Sequence, residues 1–142
     1  MFRKILLPVD LSSDSSWRRA LPAALELAAP EEAELHIVAV APDFGLSAVG
    51  GFFAPGYEKE VLHELGEKLT EWVNANIPEG VSAHPHVLHG RIYDEIITAA
   101  DRLDVDCIVL ASHTPELSDY LLGPNAARVV RHARQSVFVV RG

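Results

Sequence analysis

The sequence predicts an open, doubly wound α/β fold, in which five parallel strands form one sheet with helices on both faces. Short apolar runs rich in β-branched residues recur along the chain, as expected for strands buried on both faces. Amphipathic helical patterns alternate with these runs, which is typical of a parallel sheet built from βαβ units. A length of 142 residues with 49% hydrophobic residues suits one domain, residues 1–142, with a substantial core.

Five segments are predicted to be strands. Four of them are short, predominantly apolar runs, whereas the third alternates between apolar and polar residues and is the weakest. In chain order they are Ile5–Val9, Leu35–Val40, Ala83–Leu88, Ile108–Ala111 and Val137–Val140.

Four segments between the strands repeat apolar residues at the three-to-four spacing of an amphipathic helix. They are Asp14–Ala28, Tyr57–Asn76, Ile92–Leu103 and Pro124–Ala133. Ser12, Ser13 or Asp14 is expected to cap the first helix. Pro124 suits the first position of the last helix, because its missing N–H is not needed there. The aperiodic segment Ala41–Gly56 is interpreted as a long connection, of the kind that serves as a lid or an interaction segment.

The charge balance and the single cysteine narrow the class of partner. A net charge of −8 without a basic block disfavours nucleic acid, although a small anion needs only a local cluster of donors. Cys107 lies in an apolar run, so we expect a buried thiol, and the absence of a second cysteine suits a reducing cytoplasm. The N-terminal apolar run stops at Pro8 and Asp10, too short for a signal segment or a membrane span.

Polar residues follow the first and fourth predicted strands, whose carboxyl ends border the ligand crevice in folds of this class. Asp10, after the first strand, either accepts a hydrogen bond from a ribose hydroxyl or an adenine amine, or caps the turn. The loop after the fourth strand leads to Gly123–Asn125. Backbone amides there either converge on a phosphate or belong to an ordinary turn.

Signatures of metal and enzyme sites are weak. His84 and His86 share one face of a strand and His89 points to the other, without a nearby cysteine, so they are interpreted as exposed strand-end histidines. The segment His63–Glu67 lacks the second histidine of a zinc protease. The sequence contains no Walker lysine, dinucleotide fingerprint or nucleophile elbow, and no catalytic residue or metal ligand is assigned.

The chain resembles the universal stress proteins, as a single-domain member of the UspA superfamily and of its F-type (UspF-like) branch. The segments that carry the resemblance are "KILLPVDLS", "ELHIVAVAP", "GRIYDEI", "DVDCIVLASH" and "YLLGPNAARVVRHARQSVFVVR". It implies a Rossmann-like, adenine nucleotide alpha hydrolase-like sheet and a homodimer formed through the last strand, Ser136–Arg141. It also implies a cytoplasmic stress-response protein that binds ATP or AMP, with or without Mg²⁺, as a sensor or switch.

The resemblance also implies which residues surround the nucleotide. They are Pro8, Val9, Asp10, Val40, Gly90, Ala111, Ser112, His113, Gly123, Pro124 and Asn125. Ala111 and Thr114 replace two glycines of the family's phosphate loop, as in the F-type branch, whereas Gly123 is retained. Pro124 replaces a serine or threonine and removes one N–H and one hydroxyl. Each hydrogen bond to a charged group contributes about 1.5–3 kcal/mol, so triphosphate binding is expected to weaken by roughly ten- to a few-hundred-fold.

Two other functions stay open at this point. The chain is a nucleotide-free dimeric module whose segment Ala41–Gly56 and dimer surface bind partner proteins, or it is a weak ATPase that depends on Asp10. Neither alternative involves nucleic acid or a membrane.

Overall fold

The computed structural model describes residues 2–29, 32–41, 56–112 and 124–141. These residues form five strands, four α-helices and one short 3₁₀ helix. The bounds of the strands are β1 Lys4–Pro8, β2 Glu34–Ala41, β3 Ser82–His89, β4 Cys107–Ser112 and β5 Ser136–Arg141. The bounds of the helices are α1 Ala20–Leu27, α2 Tyr57–Asn76, α3 Ile92–Arg102 and α4 Pro124–His132, with the 3₁₀ helix at Asp14–Ser16.

The strands form one parallel sheet in the order β3-β2-β1-β4-β5, which confirms the predicted fold class. Each strand lies within one residue of its predicted bounds. β3, the weakest of the five in the sequence, pairs with β2 along eight residues, from Ser82 to His89. Backbone pairing and a partly covered face therefore hold a strand of which half the side chains are polar.

Helices cover both faces of the sheet because buried side chains of each central strand alternate between two cores. Leu35 and Ile37 of β2 belong to the core beneath α1 and α2. Leu6 of β1 and Val38 of β2 belong to the core beneath α3 and α4. Cys107 is 1% exposed, as expected, and burial raises the pKa of its thiol. Within the described ranges, no helix combines the length and apolar character needed to cross a membrane.

The start of the first helix corrects the sequence prediction. Only Asp14–Ser16 is helical at the predicted start, as a 3₁₀ helix, and α1 begins at Ala20. Ser13 precedes the 3₁₀ helix without a capping side-chain bond, and Ser12 instead bonds to Asp10. The predicted cap of a helix from residue 14 is therefore wrong, because these hydroxyl groups stabilise the loop after β1.

Trp17, predicted on the apolar stripe of that helix, lies in the turn before α1. Its ring packs edge to face against Trp72 of α2, with the ring centroids 5.3 Å apart and the planes at 80°. Edge-to-face contacts between aromatic rings add to the free energy of burial. Trp17 therefore packs against α2 although it lies in a turn and not in a helix.

Candidate functional site

A groove lies where the topology of the sheet changes direction. β1 and β4 are neighbours, yet their pairing register joins only Ile5 with Cys107 and Leu6 with Ile108. The helices that follow them, α1 and α4, pack in the cores on opposite faces. Ligand crevices of open α/β sheets form at such switch points, beyond the carboxyl ends of the strands. The groove has a volume of about 600 Å³, in the range of small-molecule sites.

Five of the residues predicted from sequence line this groove. They are Pro8, Val9, Asp10, Val40 and Asn125. Four others are described but are not among its lining residues, namely Gly90, Ala111, Ser112 and Pro124. His113 and Gly123 lie outside the described residues, as does Thr114. The structure thus brings together predicted residues from β1, β2 and α4, which are far apart in the sequence.

Asp10 stabilises the turn after β1, and it also lines the groove. Its Oδ1 accepts the N–H of Ser12 at 3.0 Å and the hydroxyl of Ser12 at 2.6 Å. Its own N–H donates to Ser16 Oγ at 2.8 Å. The side chain is exposed and belongs to the groove wall. One carboxylate oxygen therefore fixes the loop, and the fixed loop presents the carboxylate to the groove.

Gly90 does not line the groove but is hydrogen-bonded to a residue that does. Its backbone has φ of +140°, and an added Cβ would stand 2.5 Å from Glu95 Oε1. Its N–H donates to the carbonyl of Ala41 at 3.0 Å, and Ala41 lines the groove. Glycine is required here because L side chains rarely adopt this backbone conformation. The residue positions the end of β2 and is not itself part of the groove wall.

The start of α4 borders the groove through Asn125. Pro124 is the first residue of this helix, and both residues are exposed. The helix is anchored behind them, because Ala126 and Val129 are buried in the core. The positive end of the helix dipole therefore lies at the groove. Pro124 leaves that end one N–H donor short, as predicted from the sequence.

The sequence reading missed a wall of the groove that α2 contributes. Val61 and Leu65 line it as an apolar pair one helical turn apart, and Glu64 and Lys68 line it as a charged pair at the same spacing. The later part of the apolar stripe of α2 belongs to the core, since Leu69 is 1% exposed. Sequence periodicity gives the face of a helix, but not the point along it where the sheet ends and the groove begins.

The histidines of β3 lie away from the groove. His84 and His86 share a face, as predicted, because both approach His36 of β2. His84 is exposed, as predicted, whereas His86 is half-buried. In the part of the chain that the structure describes, no group of three or more His, Cys, Asp or Glu residues is placed to hold a metal ion.

The fold and groove define a doubly wound parallel α/β protein with a ligand crevice at the switch point of its sheet. The profile of the universal stress protein family matches residues 1–141. The chain therefore belongs to the universal stress protein family.

Similar proteins support the same assignment. Universal stress protein G of Shigella flexneri is 32% identical over 147 residues, covering 99% of this chain and 100% of the relative. The fold is similar to that of a universal stress protein from Archaeoglobus fulgidus, solved in complex with dAMP. That structure has a TM-score of 0.67 at 24% identity and covers 98% of this chain and 97% of the neighbour. A universal stress protein solved in complex with cAMP has a TM-score of 0.63 at 21% identity, with 99% and 97% covered. Membership of the F-type branch stays a prediction.

Proposed function

We propose that this chain binds an adenine nucleotide, ATP or AMP, in the groove and acts in the cytoplasm as a stress-response sensor or switch. The observation that carries this proposal is the convergence of five residues, predicted from sequence alone, on one groove: Pro8, Val9, Asp10, Val40 and Asn125. The cAMP and dAMP complexes of two similar proteins support an adenine nucleotide as the ligand class.

The chemistry of the groove walls suits the parts of a nucleotide. Val9 and Val40 on the sheet and Leu65 on α2 provide aliphatic surface against which the flat base would pack. The Asp10 carboxylate would accept hydrogen bonds from ribose hydroxyl groups. Phosphates would lie toward the start of α4, where the helix dipole favours negative charge. These roles are assigned by the chemistry of each side chain.

The number of phosphates held is set by the residues at the start of α4. Pro124 offers neither an N–H nor a hydroxyl there, so we propose a weakened grip on the β- and γ-phosphates. The amides of Asn125 and Ala126 remain as donors. We propose slow or absent hydrolysis, because the sequence carries no general base or metal-holding pair of carboxylates beyond Asp10; Glu64 is a further carboxylate in the groove wall.

A homodimer through β5, Ser136–Arg141, is the second part of the proposal. β5 is an edge strand that pairs with β4 on one side. Phe138 is 47% exposed, and Val137, Val139 and Val140 are half-buried. An exposed apolar edge favours pairing with another strand. A second copy would cover both the backbone edge and these side chains.

The test is recovery of the native ligand followed by calorimetry. Protein purified without added nucleotide is denatured, and the released small molecules are identified by mass spectrometry. Titrations with ATP, AMP and GTP then compare the native chain with Asp10→Ala. Asp14→Ala is the matched control, because this exposed aspartate follows in the same loop but is not among the groove's lining residues.

We expect adenine nucleotide in the extract and binding at least about tenfold weaker in Asp10→Ala, which corresponds to roughly 1.4 kcal/mol. Binding by Asp14→Ala is expected to match that of the native chain. An extract without adenine absorbance, together with no heat of binding for any nucleotide, would contradict the proposal and favour the nucleotide-free module. Mg²⁺-dependent phosphate release that is lost in Asp10→Ala would instead support the weak ATPase.

A further inference from the structure

A cluster of imidazoles with one carboxylate joins β2 to the edge strand β3, apart from the nucleotide groove. It consists of Glu34 and His36 on β2 and His84 and His86 on β3. His36 is 7% exposed, which is unusual for a side chain that can take up a proton near neutral pH. β3 has one neighbour in the sheet, β2. Contacts in this cluster therefore bear directly on how firmly the edge strand is held.

Three of these residues form a continuous hydrogen-bonded chain. Glu34 Oε2 lies 3.1 Å from His36 Nε2, and His36 Nδ1 lies 2.9 Å from His86 Nε2. The two rings are inclined by only 20°, with their centroids 5.2 Å apart. That separation is what one N–H···N bond produces when it joins two five-membered rings end to end. The imidazoles therefore share a nearly common plane, and their bond is close to linear.

The hydrogen-bond chain determines where the protons are. An ionised carboxylate only accepts, so the Glu34 contact requires N–H at His36 Nε2. Neutral His36 then has a lone pair at Nδ1, which accepts the Nε2–H of His86. The His36 bond lowers the pKa of Glu34, which keeps the carboxylate ionised. Both imidazoles are thus fixed in one tautomer across the β2–β3 junction.

The three side chains can take up one proton, but not two, without losing a hydrogen bond. A proton on His86 Nδ1 leaves the chain of bonds intact. A further proton on His36 Nδ1 puts two N–H donors 2.9 Å apart, and the bond between the strands is lost. Lys4, Arg102 and His84 also face the pair and add positive charge, which opposes protonation. Glu34 is the acidic group that favours it.

The geometry favours a shared proton over a metal ion. A metal bound by two imidazoles needs both lone pairs to converge on one point. Here the two nitrogens point at each other, with the proton of one directed at the lone pair of the other. Glu34 occupies the remaining nitrogen of His36. The described residues also provide no third ligand in position.

We propose that Glu34, His36 and His86 form an acid-sensitive latch that strengthens the pairing of β3 with β2 at neutral pH and weakens it on acidification. Burial lowers the pKa of both His36 and His86. Their folded-state values therefore lie below the unfolded value of about 6.5. Stability from the latch is present above that pH and is lost as the pH falls through the folded-state values.

The test is amide hydrogen exchange measured across the pH range, with intrinsic exchange rates corrected at each pH. In the native chain, the opening equilibrium of β3 is expected to rise by about tenfold per pH unit for each proton taken up, as the pH falls from about 6.5 toward the folded-state pKa values of the two histidines. The central strand β1 is the internal reference. It should respond less than β3, because β1 is paired on both sides.

Two variants make the test specific. In His86→Gln the amide group can still donate to His36 Nδ1 but cannot titrate. The opening equilibrium of β3 should then lose the factor of about tenfold per pH unit that one proton contributes. His63→Gln is the matched control, because His63 is an exposed histidine of α2 that pairs with Glu67 at 3.0 Å. It should keep the native pH dependence. Equal pH dependence in His86→Gln and the native chain would overturn the latch.

Nitrogen-15 spectra of the native imidazoles test the same idea without substitution. At pH 7.5 the Nε2–H tautomer is expected for both His36 and His86. On acidification the two should titrate as a coupled pair in two separated steps. An Nδ1–H tautomer at His36, or independent single-step titration of both rings near pH 6.5, would overturn the proposal even if the variants fail to fold.

Discussion

Restoring the lost donor at position 124 tests how the start of α4 holds phosphate. Pro124→Ala returns the backbone N–H, and Pro124→Ser returns the N–H together with a hydroxyl. Pro124 is the first residue of α4, and Asn125 beside it lines the groove. A donor at position 124 would therefore be added at the edge of the proposed phosphate site. Neither substitution alters a side chain that lines the groove.

The magnitude follows from the exposure of this site. A hydrogen bond to a charged group contributes about 1.5–3 kcal/mol. Because Pro124 and Asn125 are exposed, a new N–H competes with water, which places the gain near the lower value. Pro124→Ala should then bind ATP about tenfold more tightly, and Pro124→Ser between about ten- and a few-hundred-fold more tightly. Loss of proline rigidity costs about 0.4–1 kcal/mol of folding stability, which does not enter the affinity of the folded chain.

Isothermal titration calorimetry with ATP, AMP and adenosine measures the effect. Adenosine carries no phosphate, so its affinity should be the same in all three proteins. Pro78→Ser is the matched control, because Pro78 is an exposed proline between α2 and β3 and does not line the groove. Its ATP affinity should be that of the native chain. The reasoning is wrong if ATP binds no more tightly to Pro124→Ser than to the native chain, or if adenosine gains as much as ATP.

Three further predictions concern stability and assembly. Asp106→Ala should lower the free energy of unfolding by about 1 kcal/mol at pH 7, which is below the usual contribution of a hydrogen bond to a charged group because the carboxylate is exposed to water. Backbone N–H groups at the start of β1 lower the pKa of this carboxyl. Its contribution to the free energy of unfolding, measured by urea titration, should therefore be lost as the pH falls below about 4 through the folded-state pKa. An equal loss of stability in Asp106→Ala at pH 7 and pH 3 would contradict this. Gly90→Ala should cost about 1–3 kcal/mol of backbone strain. Adding Glu95→Ala removes the collision with the Glu95 side chain but not the backbone strain, so the double variant should still have a lower urea midpoint than Glu95→Ala alone. Phe138→Asp should raise the dissociation constant of the proposed dimer at least about tenfold in analytical ultracentrifugation, at roughly 1.4 kcal/mol per tenfold. The control is Val130→Asp, because Val130 on α4 is similarly exposed (43%); equal effects of the two substitutions would argue against an interface at β5.

The order of elements was predictable because each strand and helix has a periodicity that local residues determine. The boundaries of α2 agree with the prediction at both ends, Tyr57 and Asn76. The first helix was the exception, because its start depends on tertiary contacts. Asp10 accepts the hydroxyl of Ser12, which was expected to cap a helix, and Trp17 packs on Trp72. Local propensity does not show that these side chains have other partners.

The residues alone marked the groove near strand ends, and the family resemblance added Pro8, Val9 and Val40 to the prediction. Asp10 was found because the carboxyl end of the first strand is a position that the fold class itself marks. Glu64 and Lys68 were not found, because they lie in the middle of a helix and the sequence does not show where that helix extends past the sheet. Ile92 and Ile96 of α3 also line the groove, and they too were not predicted. Residues carried by covering helices thus need the three-dimensional arrangement before they can be assigned.

The histidine latch likewise could be predicted only in part from the sequence. The two-residue period of a strand correctly placed His84 and His86 on one face. It did not reveal His36, because that partner is determined by the register that pairs His36 with His84 and Val38 with His86. In the sequence the two strands are separated by the whole of α2, so neither strand segment shows this register by itself. A shift of one residue would turn His36 to the opposite face of the sheet. The hydrogen bond from His36 to His86 therefore depends on the native register of β2 and β3, and in the native register it adds to the contacts that hold the edge strand.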